Sequence, residues 1–258
     1  MSGQELHTTE EWIRLLEEQA DYTREYRFNL YKKVNIESKK KILDVGCGPG
    51  IVTADIASLT DGYIVGIDID DKKLVYAQTI IPDHVDLTKA NVLELPFGDN
   101  TFDLVVFSVV LPYIRDQQKA VDEMARVTQK GGIVLATGEP DYAGALYYPE
   151  NKAVSPSLKY YEERGFDIRT GRKLKYLFRK AGLETEIGVC DHMLRFVNKD
   201  AQEQLKDYLD HFPESKQILM KMGWTEKQIE DYKLESVDLI QNGLSFSFVP
   251  AFCAIGRK

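Results

Sequence analysis

The 258-residue sequence is poor in cysteine, has no long apolar run and carries more acid than base. Its three cysteines, Cys47, Cys190 and Cys253, are scattered and odd in number, which argues against a disulfide framework and against a C-x-x-C metal pair. No metal site is expected, and a reducing, cytoplasmic setting fits. No apolar stretch approaches the roughly 18 residues that cross a bilayer, so no membrane span is expected. The opening residues Met1, Ser2, Gly3, Gln4 and Glu5 lack the basic, apolar and small-residue order of a secretory signal, so export is not expected. A formal charge of −8 repels a phosphate backbone unless basic residues cluster on one face. Nucleic acid is therefore a disfavoured partner.

What is present is a switching pattern. From Glu10 to about Val34, Trp12, Ile13, Leu15, Leu16, Tyr22, Tyr26, Leu30 and Tyr31 recur with helical spacing and predict one or two leading helices. Short apolar strands then alternate with helices. Strands are expected at Ile42–Val45, Tyr63–Asp68, weakly at Asp86–Ala90, at Phe102–Phe107 and at Ile133–Thr137. Helices are expected at Ile51–Leu59, Asp71–Thr79 and Gln117–Val127. This alternation predicts an α/β fold, a doubly wound, mainly parallel sheet covered by helices on both faces. Thr170 is read as the N-cap of a helix with the apolar stripe Leu174, Leu177, Phe178 and Ala181, ended by Gly182. Leu183–Cys190 and Phe246–Ile255 are read as the last two of seven strands. Residues 1–36 form a helical leader to a main domain over 37–258.

Two segments break the alternation and are read as insertions that cap the substrate side. Residues 139–169 are rich in Tyr and Pro, including Tyr142, Tyr147, Tyr148, Tyr160 and Tyr161. Residues 200–242 are helical, with Pro213 and Gly223 as breaks and Thr225 to Gln228 as a capping box. The tyrosines serve equally well to pack a cap or to line a pocket for an apolar or aromatic acceptor.

The chemistry sits in Asp44, Val45, Gly46, Cys47, Gly48, Pro49 and Gly50, between a strand and a helix. Glycines there let the backbone approach a ligand, and the helix that follows offers free N–H groups, so a nucleotide-like ligand is expected. A dinucleotide loop starting at Gly46 needs a third glycine where this chain has Ile51, which weighs against NAD. Asp68 ends the next strand, 18 residues beyond Gly50, where a carboxylate can accept hydrogen bonds from both ribose hydroxyls. Further on, Asn91 and Val92 precede the run Leu95 to Asp103 that leads into the strongest strand.

From about Lys41 to Thr137 this order of motifs resembles the class I S-adenosylmethionine-dependent methyltransferases, in particular the small-molecule subgroup of ubiquinone and menaquinone C-methyltransferases. The resemblance implies a Rossmann-like fold and S-adenosylmethionine as methyl donor, leaving S-adenosylhomocysteine as product. It implies that Asp44 and the Gly46, Cys47, Gly48 and Gly50 loop hold the methionine part, with backbone contacts from Gly46 and Cys47. Asp68 would bind the ribose, Ile69 pack beside the adenine, Asn91 and Val92 read the adenine edge, and Ser108 and Val109 meet the amino group. The subgroup often carries paired histidines where this chain has Pro112 and Tyr113.

A sulfonium already makes its methyl electrophilic, so the protein mainly has to align an acceptor in line with the S–CH₃ bond, an effect worth about 7–11 kcal/mol. His192, Tyr113 and Asp141 are the candidate catalytic groups: the first two as general bases, the third orienting a hydroxyl or amine. Each has a bland counterpart as a structural or surface residue. Tyr22 and Arg27 are read mainly as solvated helix faces, with capping of the cofactor carboxylate as the other reading. Cys47 is read as a small residue in a tight loop. The expected function is methyl transfer to a small-molecule acceptor. An RNA or protein methyltransferase on the same fold, and a noncatalytic cofactor-binding module, stay open as alternatives, as does the oligomeric state.

Overall fold

In the computed structural model, which describes residues 9–258, the chain starts with one long helix, α1 (Thr9–Lys33). The Met1–Glu5 stretch lies outside the described residues. Ile13, Ala20, Leu30, Tyr31 and Val34 form the buried stripe of α1 and its exit, at the three-, four- and seven-residue steps that put side chains on one helix face. Arg27 stands on the same stripe and is 1% exposed, so it does not belong to a solvated face.

Beyond α1 the alternation follows the expected order: β1 (Lys41–Val45), α2 (Ile51–Ala57), β2 (Tyr63–Asp68), α3 (Asp71–Ala77), β3 (Val85–Lys89), β4 (Phe102–Phe107), α4 (Gln117–Val127) and β5 (Thr128–Pro140). Strand β4 is buried on both faces, which is why it reads as an almost continuous apolar run. Val105 and Phe107 face one core with Leu43, Val65, Val121 and Met124. Leu104 and Val106 face the other, with Tyr31, Ile42, Ile56 and Ile64.

The first expected insertion leaves the sheet after Pro140 and makes a short strand, β6 (Leu146–Tyr148), and a helix, α5 (Val154–Glu163). The chain returns through α6 (Leu174–Lys180) to β7 (Glu184–Val189). Thr170 does not cap α6: its hydroxyl donates to the Asp167 carbonyl and accepts from Gln117 Nε2, and a 3₁₀ turn at Gly171–Lys173 precedes the helix. The second excursion contains α7 (Leu194–Val197), α8 (Ala201–Lys221) and α9 (Glu226–Gln241).

Helix α8 runs through Pro213 without ending, whereas Gly223, at φ +88°, does separate α8 from α9. Thr225 and Gln228 form the expected capping box. The stretch read as one final strand is two, β8 (Phe246–Phe248) and β9 (Ala251–Arg257). Pro250, which has no N–H to donate, lies between them. β8 pairs antiparallel with β6, tying the two excursions together, and Ala153, Phe212, Leu219 and Ile229 form a small core of their own.

The main sheet has the order β3-β2-β1-β4-β5-β9-β7, with every strand parallel except β9. The expected doubly wound, seven-stranded, mainly parallel sheet is therefore borne out. Strand order reverses between β1 and β4, the position at whose carboxyl ends open α/β sheets hold their ligands.

Helix α1 is fastened over this region by charge. Arg27 Nη2 donates to Asp55 Oδ2 at 2.6 Å, Nη1 donates to the Ala20 carbonyl at 2.7 Å, and Arg24 reaches Asp55 Oδ1 at 2.8 Å. Arg27 and Asp55 are both buried, so removing one leaves the other as an unpaired interior charge. Asp55→Ala is expected to cost about 3 kcal/mol and to lower the melting temperature by roughly 6–12 °C, as read by thermal unfolding.

Candidate active site

The loop after β1 is shaped by positive φ angles and close neighbours. Gly46 sits at φ +69°, and a Cβ there would lie 2.6 Å from Val110 Cγ2, so only glycine fits. Gly48, at φ +53°, has only Leu16 Cδ1 of α1 near its missing Cβ, at 3.9 Å. Gly48 N–H donates to Asp68 Oδ2 at 2.9 Å, while Asp68 Oδ1 accepts from Asp70 N at 2.9 Å. The ends of β1 and β2 are thereby locked through one carboxylate.

Asp44 is buried at the foot of the loop and accepts from Thr53 Oγ1 at 2.6 Å; desolvation pushes its pKa up to about 7. Cys47 donates its N–H to the Ile67 carbonyl at 2.9 Å, and burial pushes its thiol well above its ordinary pKa. At neutral pH it is not a nucleophile.

The other expected cofactor residues follow the carboxyl ends of β2, β3 and β4. Ile69, just past β2, is 65% exposed. Asn91, beyond β3, is exposed and accepts from Leu93 N at 3.0 Å, whereas Val92 is buried in the core. Ser108 and Val109 follow β4. Val109 is β-branched yet adopts φ +52°, a conformation that must be held by its surroundings.

The holder is Glu139, a residue sequence reasoning treated only as the edge of an insertion. Between Ala136 and Glu139, strand β5 carries one more residue than β9: Ala136 pairs with Ala254 and Glu139 with Phe252. The bulge puts Glu139 on the face it would otherwise miss. Its carboxylate accepts from Val110 N at 3.1 Å and Leu111 N at 3.2 Å, with no exposed surface, and desolvation pushes its pKa up to about 8. The available signal was an acidic residue at the carboxyl end of a parallel strand.

Among the described residues, Arg27 Nε, Tyr31 Oη and His192 Nδ1 are buried polar atoms near α1 without a well-formed hydrogen bond, Tyr31 lying within the influence of Arg27. Arg27 acts electrostatically on Asp44, Tyr31 and His192, so these groups share one neighbourhood. Unpartnered interior donors are costly unless a ligand completes them. A guanidinium N–H beside the Asp44 loop fits the carboxylate of an amino-acid-bearing cofactor.

The candidate catalytic residues occupy separate networks. His192 packs its ring 4.7 Å from Tyr26, its carbonyl accepts from Tyr22 Oη at 2.9 Å, and burial lowers its pKa. Asp141 is buried and accepts from Arg172 Nε at 2.6 Å and Nη2 at 2.7 Å, a two-pronged ion pair. Tyr113 is 40% exposed, and desolvation, Tyr142, Glu139 and Glu214 all raise its pKa. Phe166 gathers a cluster of rings, with centroids 5.0 Å from Tyr113, 5.8 Å from Tyr142 and 5.7 Å from Tyr161. Tyr161 Oη donates to Glu214 Oε1 at 2.9 Å. Glu214, more than 50 residues away in sequence, gave no signal of its own.

Fold and loop together define a cofactor-binding α/β enzyme. A family model described as a methyltransferase domain matches residues 43–136. A demethylmenaquinone methyltransferase of Geobacillus stearothermophilus is 30% identical over 178 residues, covering 61% of this chain and 76% of the relative. Among solved structures, Haemonchus contortus phosphoethanolamine N-methyltransferase 2 in complex with S-adenosyl-L-methionine is similar at a TM-score of 0.59 and 17% identity, over 91% of this chain. This chain spans about half of that protein, 52% of its length. The YcgJ protein of Bacillus subtilis is similar over 91% of this chain and 99% of its own, at a TM-score of 0.57 and 17% identity. At such identities the two structures speak for the fold alone. The chain belongs to the class I S-adenosylmethionine-dependent methyltransferases: it is an enzyme, and S-adenosylmethionine is its methyl donor.

The buried carboxyls have a consequence for pH. Natively, Glu139 and Asp44 keep protons that the unfolded chain has already lost, so stability falls as pH rises from the ordinary carboxyl range through about 7 for Asp44 and about 8 for Glu139. Glu139→Gln is expected to flatten the upper part of that decline, measured as urea unfolding free energy against pH.

Proposed function

We propose that the Asp44 to Gly50 loop, Asp68, Ile69, Asn91, Val92, Ser108 and Val109 hold S-adenosylmethionine, and that the tyrosine cluster around Phe166 receives a small acceptor. The convergence of the glycine loop, the Asp68 clamp and the strained Val109 turn at the strand-order reversal carries this reading. Asp68 accepts from the ribose hydroxyls, Asn91 and Val92 meet the adenine, and Arg27 Nε, beside Asp44, faces the cofactor carboxylate. When bound, the sulfonium supplies an electrophilic methyl and a thioether leaving group. The chain's own work is to orient the acceptor and keep water from the methyl.

The two excursions, about 139–169 and 200–242, are read as a cap on the acceptor side. In support, they are joined by the β6–β8 pair and border an open cleft of about 260 Å³ that mixes the rings of Tyr147, Phe196, Tyr208 and Tyr232 with charged groups such as Lys199 and Asp207. An acceptor with an apolar or aromatic body suits such a lining. The relative that acts on demethylmenaquinone supports a small apolar acceptor class. A cytoplasmic location is supported by three unpaired cysteines and by the absence, among the described residues, of a helix long and apolar enough to cross a membrane.

Asp68→Ala is expected to weaken S-adenosylhomocysteine binding roughly ten- to hundredfold, the loss of charge-assisted hydrogen bonds. Titration calorimetry reads this directly, and unchanged affinity would remove Asp68 from the site.

A further inference from the structure

Strand β5 grips the turn after β4 through one side chain, that of Glu139. We infer that Glu139 is a positioning residue for methyl transfer, which sets donor affinity by holding Val109 and Val110 in the shape the donor site uses. The inference rests on the proposed donor site, in which Ser108 and Val109 meet the cofactor.

The backbone of the turn is unusual. Val109 lies at φ +52°, in the left-handed region that a β-branched residue avoids, and Val110 follows at φ −103°, ψ −47°, in the right-handed region. Such a turn aims successive N–H groups at one point and makes a concavity for an anion or another acceptor. Here the concavity is filled from within. Val110 N donates to Glu139 Oε1 at 3.1 Å and Leu111 N to Oε2 at 3.2 Å, and the Val109 N–H acts on the same carboxyl. The carbonyls are engaged locally, that of Val110 by Tyr113 N and that of Leu111 by Ile114 N and Gln117 Nε2.

The place of Glu139 suits holding rather than reacting. Thr137 and Gly138 stand opposite the single Cys253 of β9, and this bulge carries the next side chain to the turn while pairing with Phe252 fixes its backbone. The carboxyl has no exposed surface, and each oxygen is committed to one amide. An acceptor therefore cannot hand it a proton. Either ionisation state serves the turn, because a carboxyl keeps acceptor capacity after protonation.

From the turn the constraint passes to the glycine loop. Val110 Cγ2 stands 2.6 Å from the point where a Cβ on Gly46 would lie, so the valine fills the space that the absent side chain leaves. A buried amide left without an acceptor favours a relaxed turn, in which Val109 leaves the left-handed region and Val110 moves against the loop. Two donor-holding segments then shift together. The need for a carboxyl comes from Val109, and it disappears with a residue that takes a positive φ unaided.

The test measures S-adenosylhomocysteine affinity by titration calorimetry, per folded enzyme, in the unaltered chain, Glu139→Gln, Val109→Gly and the double variant. Glutamine offers one acceptor oxygen to two amides, whichever way its own amide is turned. Glu139→Gln is expected to weaken binding at least roughly tenfold. Glycine adopts the left-handed turn without a holder, so in the Val109→Gly background the same change is expected to weaken binding less than roughly threefold. A merely structural role for Glu139 would show equally in both backgrounds. Unchanged affinity in Glu139→Gln overturns the inference, as does an equal loss with and without Val109→Gly. If Glu139→Gln alone does not fold, the double variant decides: affinity within roughly threefold of Val109→Gly supports the inference, and weaker binding or failure to fold overturns it. Failure of S-adenosylhomocysteine to bind the unaltered enzyme would instead overturn the donor-site assignment beneath it.

Discussion

Because Gly46 has no side chain, Val110 can stand against the loop after β1, and because Glu139 has no solvent, its carboxylate has only backbone N–H groups to satisfy it. These two facts make one constraint. The turn after β4 must curl back toward the glycine loop, and Val109 must take its left-handed conformation, where the sheet reverses its strand order. A change in Glu139 is therefore felt in the glycine loop and in the turn after β4, although Glu139 itself is turned toward the backbone.

Much of the fold was legible because the relevant patterns are local. Phe102–Phe107 and Gln117–Val127 were placed to the residue, since a strand buried on both faces and an amphipathic helix with an Asp116 cap carry strong signals over a few positions. Asp68 was legible for the same reason, at a fixed distance from a glycine loop. What escaped depends on tertiary context. One extra residue in β5 reverses the facing of Glu139, and no two-residue alternation announces a bulge. Arg27 looked like surface because arginine usually is; only the buried Asp55 opposite explains it. Pro213 looked like a helix end, but α8 continues through it while Phe212 and Leu219 anchor its inner face.

The acceptor side was the least legible part, and the reason is distance along the chain. Tyr113 follows β4, Tyr142 and Tyr161 come from the first excursion, and Glu214 comes from the second. Each is ordinary alone: a tyrosine in a Tyr-rich stretch or an acid on a helix. Only the folded chain brings them together, where Phe166 gathers the three rings and the β6–β8 pair ties the excursions to each other. Asp141 had the more suggestive position in sequence, yet its oxygens are occupied by Arg172.

The β6–β8 pair is only three residues long on each side, with Leu146 and Tyr148 largely open to water. An isolated two-stranded ribbon of that size has little stability of its own. With so few buried contacts, the β6–β8 pair is a place where the fold can open locally without unfolding the seven-stranded sheet. Amide exchange would grade along the chain accordingly, slow in β1, β4 and β5 and fast in β6 and β8. A molecule so graded can release its methylated product by local opening, with the donor site still folded around what remains.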